Sequence, residues 1–140
     1  MLAAFRMELR QFLAFSEKAS ARLGLTQQQY QALLAMRAHA GRLTISDLAA
    51  EMLIKHHSAV GMVNRLEQQG MVRREASSAD RRKVDISLTE HGARVFAKLA
   101  AVHWAELRRI APELERFFGH FARTRRRGRR ASGAKRAARS

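Results

Sequence analysis

TISDLAAEMLIKHHSAVGMVNRLEQQGMVRREASSADRRKVDISLT, residues Thr44 to Thr89, decides the fold. Thr44 or Ser46 can cap a short helix carrying Ile45, Leu48, Ala49 and Met52. After the turn Leu53-Ile54-Lys55, residues His56 to Gln69 make a second helix with Ala59, Val60, Val63 and Leu66 on one face, and Gly70 stands where a C′ glycine stops it. Met71 to Glu75 and Val84 to Leu88 then alternate with the period of strands, joined by the polar, basic turn Ala76-Ser77-Ser78-Ala79-Asp80-Arg81-Arg82-Lys83. Helix, turn, helix and a hairpin with a cationic tip is the order in which a winged helix-turn-helix offers one helix to the major groove and a charged loop to the adjacent backbone or minor groove. The stretch reads as DNA binding.

On the second of these helices the face opposite the apolar stripe carries Ser58, Gly61, Met62 and Arg65, with His56 and His57 at its N-terminal end. The N-terminal residues of a recognition helix reach base edges, and Ser and His can both donate and accept there. Gly61 weakens the helix by about 1 kcal/mol relative to Ala; close approach of backbone to DNA and tight packing on a neighbouring helix both explain it. Arg74 on the first strand, with Asp80, Arg81, Arg82 and Lys83 at the tip, completes the candidate DNA-binding set. A guanidinium at a hairpin tip can enter a narrow minor groove, and an adjacent Asp can orient it. His56-His57 makes no metal site, because adjacent helical side chains diverge by about 100° and no nearby Cys, Asp or third His completes a set. No metal, cofactor or catalytic residue is expected.

Working outward, Leu2, Phe5, Leu9, Phe12 and Leu13 follow helical spacing over residues 2–20, and Gly24 closes that region. Thr26-Gln27-Gln28-Gln29 fits a capping box before Tyr30, Leu33 and Leu34, in a helix that ends before Gly41. Thr89-Glu90 opens a long helix with Val95, Phe96, Leu99, Val102, His103, Leu107 and Ile110, and its apolar stripe is wider than one packing partner needs. His103 there fits a hydrogen-bonded core histidine, with a ligand-pocket role as the sharper alternative. Pro112 fits the first position of a last helix bearing Leu114, Phe117, Phe118 and Phe121. Six of the seven phenylalanines lie in residues 5–15 and 117–121, so the chain ends are expected to form one apolar cluster. Phe5, Leu9, Phe12, Leu107, Leu114, Phe117, Phe118 and Phe121 are the candidate dimer contacts, too aromatic to be left in water.

The expected architecture is mainly α with a small β-hairpin. It forms a single domain over residues 1–122, with dimerisation helices at about 1–22 and 89–122 around a winged helix-turn-helix at about 26–88. Lys and Arg total 27 against 12 Asp and Glu, for a net charge of +15 that favours polyanions. Nine of the basic residues lie in 123–140, which holds no acidic residue and no apolar periodicity, so that stretch is expected to be a disordered basic tail. There is no cysteine, which excludes disulfides, thiolate metal sites and thiol-based sensing. No apolar run approaches the roughly 20 residues that span a bilayer, and the N-terminus lacks a signal-peptide pattern. The expectation is a soluble, cytoplasmic, nucleoid-associated protein with no membrane partner.

Leu48-Ala49-Ala50-Glu51, the run Asn64-Arg65-Leu66-Glu67-Gln68-Gln69-Gly70-Met71-Val72-Arg73-Arg74, and Asp80-Arg81-Arg82-Lys83-Val84-Asp85-Ile86-Ser87-Leu88-Thr89-Glu90-His91-Gly92 resemble the MarR family of transcriptional regulators. The resemblance covers roughly residues 5–121, and the combination of R-L-E-x-x-G, D-x-R and L-T-x-x-G carries it. It implies an obligate homodimer on a palindromic double-stranded DNA operator, repressing nearby genes until a small-molecule effector releases it. By position, Arg82 matches the family's wing arginine, Asp80 its partner aspartate and Arg65 the arginine in the last turns of the recognition helix. Asn64 departs from the family, standing where an Asp is frequent, and the helix after Pro112 is short. The resemblance sets a ligand site loosely around Phe12, Met36, His39 and Trp104.

Two other classes compete. A non-specific, architectural nucleic-acid-binding protein fits the tail and the pI, and predicts steep salt dependence without a preferred site. An enzyme fits worst, since the sequence offers no phosphate-cradling glycine loop, metal-ligand cluster or nucleophile and base pair.

Overall fold

The structure, a computed structural model, describes residues 1–40 and 42–137, with side chains described as far as residue 123. In chain order it has α1 (Leu2–Ala21), α2 (Gln27–Ala38), β1 (Leu43–Thr44), α3 (Ile45–Met52), α4 (His56–Gln68), β2 (Val72–Ala76), β3 (Val84–Leu88) and α5 (Glu90–Ala137). The chain divides into two compact units, one of residues Phe15–His103 and one of Met1–Ala14 with Trp104–Ser140.

In the unit Phe15–His103, local chemistry starts and stops the helices. Thr26 caps α2 in a complete capping box, its hydroxyl accepting from the Gln29 N–H while the Gln29 side chain accepts from the Thr26 N–H. Thr44, rather than Ser46, caps α3 the same way with Asp47. The Thr44 side chain and backbone hydrogen bonds hold the Asp47 carboxyl below its ordinary range. Gly24 and Gly70, at φ +74° and +71°, provide the left-handed residues that turn the chain out of α1 and α4. α3 ends differently: Leu53 takes φ 55° and is 93 % exposed, an unusual conformation for a bulky apolar residue.

These helices bury a core of Leu33, Met36, Leu43, Leu48, Val63, Leu66, Val72, Ile86 and Leu99. His103 belongs with that interior as a hydrogen-bonded core histidine. Its Nδ1–H donates to the Leu99 carbonyl at 2.7 Å, its Nε2 lies within hydrogen-bonding distance of the Ser16 hydroxyl at 2.7 Å, and the Tyr30 ring stacks on it at 4.5 Å. Burial pushes the Tyr30 hydroxyl up from its ordinary pKa.

The expected hairpin is part of a three-stranded antiparallel sheet in the order β1-β3-β2. β1 pairs Leu43 with Ile86 and Thr44 with Asp85, so β3 is the central strand. β2 and β3 pair from Val72↔Leu88 to Ala76↔Val84. At the base of this hairpin the start of α5 is tied to the end of α4. The Thr89 N–H donates to the Met71 carbonyl at 3.0 Å, the Thr89 hydroxyl donates to the Gly70 carbonyl at 2.5 Å, and the Gly92 N–H donates to that hydroxyl at 3.0 Å. A Cβ at Gly92 would stand 1.9 Å from the Met71 carbonyl oxygen. Leu88-Thr89-Glu90-His91-Gly92 is thus a joint in which only glycine fits the last position.

In the other unit, Phe5 of α1 stacks on Phe117 of α5, with centroids 4.3 Å apart and planes 14° from parallel, and meets Phe118 edge-on at 6.3 Å. Pro112 does not start a separate helix: α5 runs through it. The proline removes one backbone donor. Strong helix formers on both sides, and the i,i+3 pairs Glu106–Arg109 and Glu113–Arg116 that bracket it, carry the helix across the gap. The stretch 123–140, expected to be a disordered basic tail, lies within α5 as far as Ala137, and from residue 124 onward its side chains fall outside those described.

Candidate nucleic-acid interface

α4 presents His56, His57 and Ser58 to solvent at its N-terminal end and Arg65 on its exposed face. Lys55, its N-cap, makes no side-chain hydrogen bond to the first turn; the Ser58 N–H donates to the Lys55 carbonyl at 3.0 Å, which leaves the His56 and His57 amides open to an anionic partner. His56 lies 3.5 Å from the Ser46 hydroxyl of α3, the edge of hydrogen-bonding range. Gly61 meets no neighbouring helix: a Cβ there would touch only the flexible end of Arg65, at 3.7 Å. The packing explanation for Gly61 therefore falls away.

Met62 is corrected. It is 6 % exposed and belongs to the core. Ala59, Met62, Val63 and Leu66 form the i, i+3, i+4, i+7 stripe of α4, so Met62 faces inward and reaches no ligand on the outer face.

Arg74 is corrected too. Its side chain is 29 % exposed, donates to Asn64 Oδ1 at 2.6 Å and pairs with Glu67, so β2 grips the last turns of α4. Its charge is largely used within the protein. Asn64, the departure from the family pattern, accepts this bond as an amide. Sequence alone carried no signal for the contact, because it spans ten residues and depends on how the strand leaves α4.

At the wing tip Asp80 does a different job from the expected one. Its Oδ1 accepts from the backbone N–H of Arg82 at 3.0 Å, and its carbonyl accepts from Lys83 N–H at 2.9 Å, so it shapes the turn rather than pairing with the guanidinium. The Ser77 N–H closes the loop on the Lys83 carbonyl at 3.0 Å. Arg81, Arg82 and Lys83 are exposed, and among the described residues none forms an ion pair. Three cations without an ion pair sit on a turn fixed by its own backbone, and the charge of Lys83 helps to lower the Asp47 pKa.

The residues that the resemblance set loosely around a ligand are each placed locally. Met36 is a core residue, His39 Nε2 lies 2.7 Å from Glu51 and ties the end of α2 to α3, and Trp104 is exposed. Among the described residues there is no group of His, Cys, Asp and Glu able to hold a metal, and no helix is long and apolar enough to cross a membrane.

The MarR family description matches residues 23–83, from the end of α1 to the wing tip. A transcriptional repressor of Bacillus subtilis, MdtR, is 35 % identical over 78 residues, which are 56 % of this chain and 50 % of that protein, so the chain spans about half the length of this curated relative. The fold matches a point mutant of MepR of Staphylococcus aureus bound to an oligodeoxyribonucleotide, with TM-score 0.69 at 19 % identity over 87 % of this chain and 93 % of that one. AbsC of Streptomyces coelicolor, a MarR family transcriptional regulator, aligns over 89 % of this chain and 93 % of its own, with 30 % identity and TM-score 0.66. With a match of that extent and identity across both chains, the chain belongs to the MarR family.

Proposed function

We propose that the protein is a sequence-specific DNA-binding transcriptional regulator, a homodimeric repressor released by a small-molecule effector. The observation that carries the reading is the pairing of an uncapped, exposed N-terminal end of α4 with a wing tip of three unpaired cations. α4 would place His57 and Ser58 at base edges in the major groove, while Arg82 enters the flanking minor groove. Leu9, Phe118 and Phe121 support self-association, since they remain exposed within the single chain. In a two-fold dimer, recognition helices reach successive major grooves about 10 base pairs apart, which calls for an imperfect palindrome. The repressor MdtR and the DNA-bound MepR support action on DNA. Release by an effector rests on the family resemblance.

Footprinting of the purified protein on genomic fragments, followed by anisotropy titrations on the recovered site, tests this. Arg82→Ala is expected to cost about 1–3 kcal/mol, most on A·T-rich flanks whose narrow groove attracts the guanidinium, and Ser58→Ala to relax preference at inner base pairs. Equal affinity for the recovered site and for random DNA would make the protein a non-specific coating protein instead.

A further inference from the structure

The C-terminal half of α1 and the 98–102 stretch of α5 enclose a groove of about 330 Å³, near the lower end of small-molecule sites at roughly 300–1,000 Å³. Phe15, Leu99 and Val102 give it an apolar floor, and Lys18, Arg22 and Lys98 stand at its rim. No carboxylate lines it, and none of the three cations forms an ion pair among the described residues. Lys18 and Arg22 are one helical turn apart, so their charges repel on one face. An anion relieves that repulsion. A single carboxylate balances one of three charges, whereas a phosphate monoester brings nearly two at neutral pH and three acceptor oxygens to share among them.

We propose that this groove binds a soluble amphiphile with an apolar body and a phosphate-class head, the body on the Phe15, Leu99 and Val102 floor and the head among Lys18, Arg22 and Lys98. It uses none of the residues assigned to DNA, so it stands or falls separately from the DNA-binding reading.

Calorimetric titration of the full chain with decyl phosphate, decanoate, decanol and inorganic phosphate, all below micelle-forming concentrations, tests it. Decyl phosphate is expected to saturate one site per chain at least about tenfold more tightly than decanoate, with decanol and inorganic phosphate weaker still. Lys18→Glu with Lys98→Glu reverses the rim, and Ala19→Trp fills the groove. Each should weaken decyl phosphate by about tenfold or more. The exposed charge reversal Arg10→Glu lies outside the groove and should change its binding by less than about twofold. The rim variants alter only exposed side chains, so they keep the test sound if Ala19→Trp misfolds by circular dichroism. An equal loss in Arg10→Glu would reduce the effect to general attraction of anions to a basic protein. Equal binding of decanoate overturns the phosphate head. Binding to phosphatidic acid vesicles without binding to soluble decyl phosphate would make the groove a lipid-surface contact and overturn the proposal as well.

Discussion

Arg74 Nη2 donates to Asn64 Oδ1 at 2.6 Å while the same guanidinium pairs with Glu67, so a strand residue holds the last turns of α4 in place. Arg74→Ala is expected to lower stability by about 1 kcal/mol, since the pair is partly exposed and screened. That shift is read from urea midpoints. Affinity should fall by a similar factor on every operator sequence, because the contact positions α4 and reads no base. A loss confined to one base position would make Arg74 a reader instead. Asn64→Asp should add a few tenths of a kcal/mol in low salt and nothing in about 1 M salt.

Two glycines should respond in opposite directions to alanine. At Gly92 the added methyl overlaps the backbone carbonyl of Met71, which cannot yield without losing the Thr89 hydrogen bond, so Gly92→Ala should cost about 2–4 kcal/mol in thermal melts. Gly61→Ala meets only the tip of Arg65 and should stabilise α4 by about 1 kcal/mol. Its DNA affinity should nevertheless drop, because the methyl stands on the face proposed to meet DNA. Destabilisation by Gly61→Ala would restore a packing role.

The capping box of α3 should impose a pH dependence. The Asp47 carboxyl titrates below its ordinary range because the Thr44 hydroxyl and N–H bind its charged form. Its contribution is therefore complete above the ordinary Asp range, near pH 4, and is lost as the pH falls through the lowered folded value. Thr44→Ala should cost about 1 kcal/mol at neutral pH and flatten that acid slope. Denaturant midpoints between neutral and acid pH, compared for the parent and Thr44→Ala, settle it. Parallel curves for the two proteins would show that the cap does not titrate.

Self-association should depend on residues that the single chain leaves uncovered. Phe118 and Phe121 are 57 % and 62 % exposed, whereas Phe5 and Phe117 already stack on each other. Phe118→Asp with Phe121→Asp should yield a folded monomer by light scattering, while Phe117→Asp should also lower thermal stability. A monomeric parent at micromolar concentration would remove the dimer reading.

What the sequence revealed depended on the distance over which each feature is determined. The Thr26 and Thr44 caps, and Gly70 at its positive φ, are set by residues a few positions apart, and composition at that spacing exposes them. β1 escaped because two residues, Leu43 and Thr44, show no period and acquire their strand character from Ile86 and Asp85 some forty positions away. Pro112 looked like a helix start because local rules favour that position. The surrounding helix formers outweighed the missing donor. Within the site, the exposed N-terminal end of α4 and the cationic tip were readable from charge and helical spacing. Arg74 was not, because its commitment to Asn64 and Glu67 depends on the approach of a strand to a helix. Met62 could have been placed correctly, since its spacing from Ala59, Val63 and Leu66 is that of the buried stripe.

The knot of Gly70, Met71, Thr89 and Gly92 divides the hairpin by timescale. At the tip, turn hydrogen bonds on an exposed loop can open alone, so the amides of Ala79, Arg82 and Lys83 should exchange with solvent through small local fluctuations. The Thr89 and Gly92 amides are held where strand, helix end and the next helix converge, and opening them requires separating all three. Their exchange should be slower by orders of magnitude, approaching the rate set by global unfolding. The cationic tip is then free to adjust to the width of a groove while its root keeps a fixed bearing on α4.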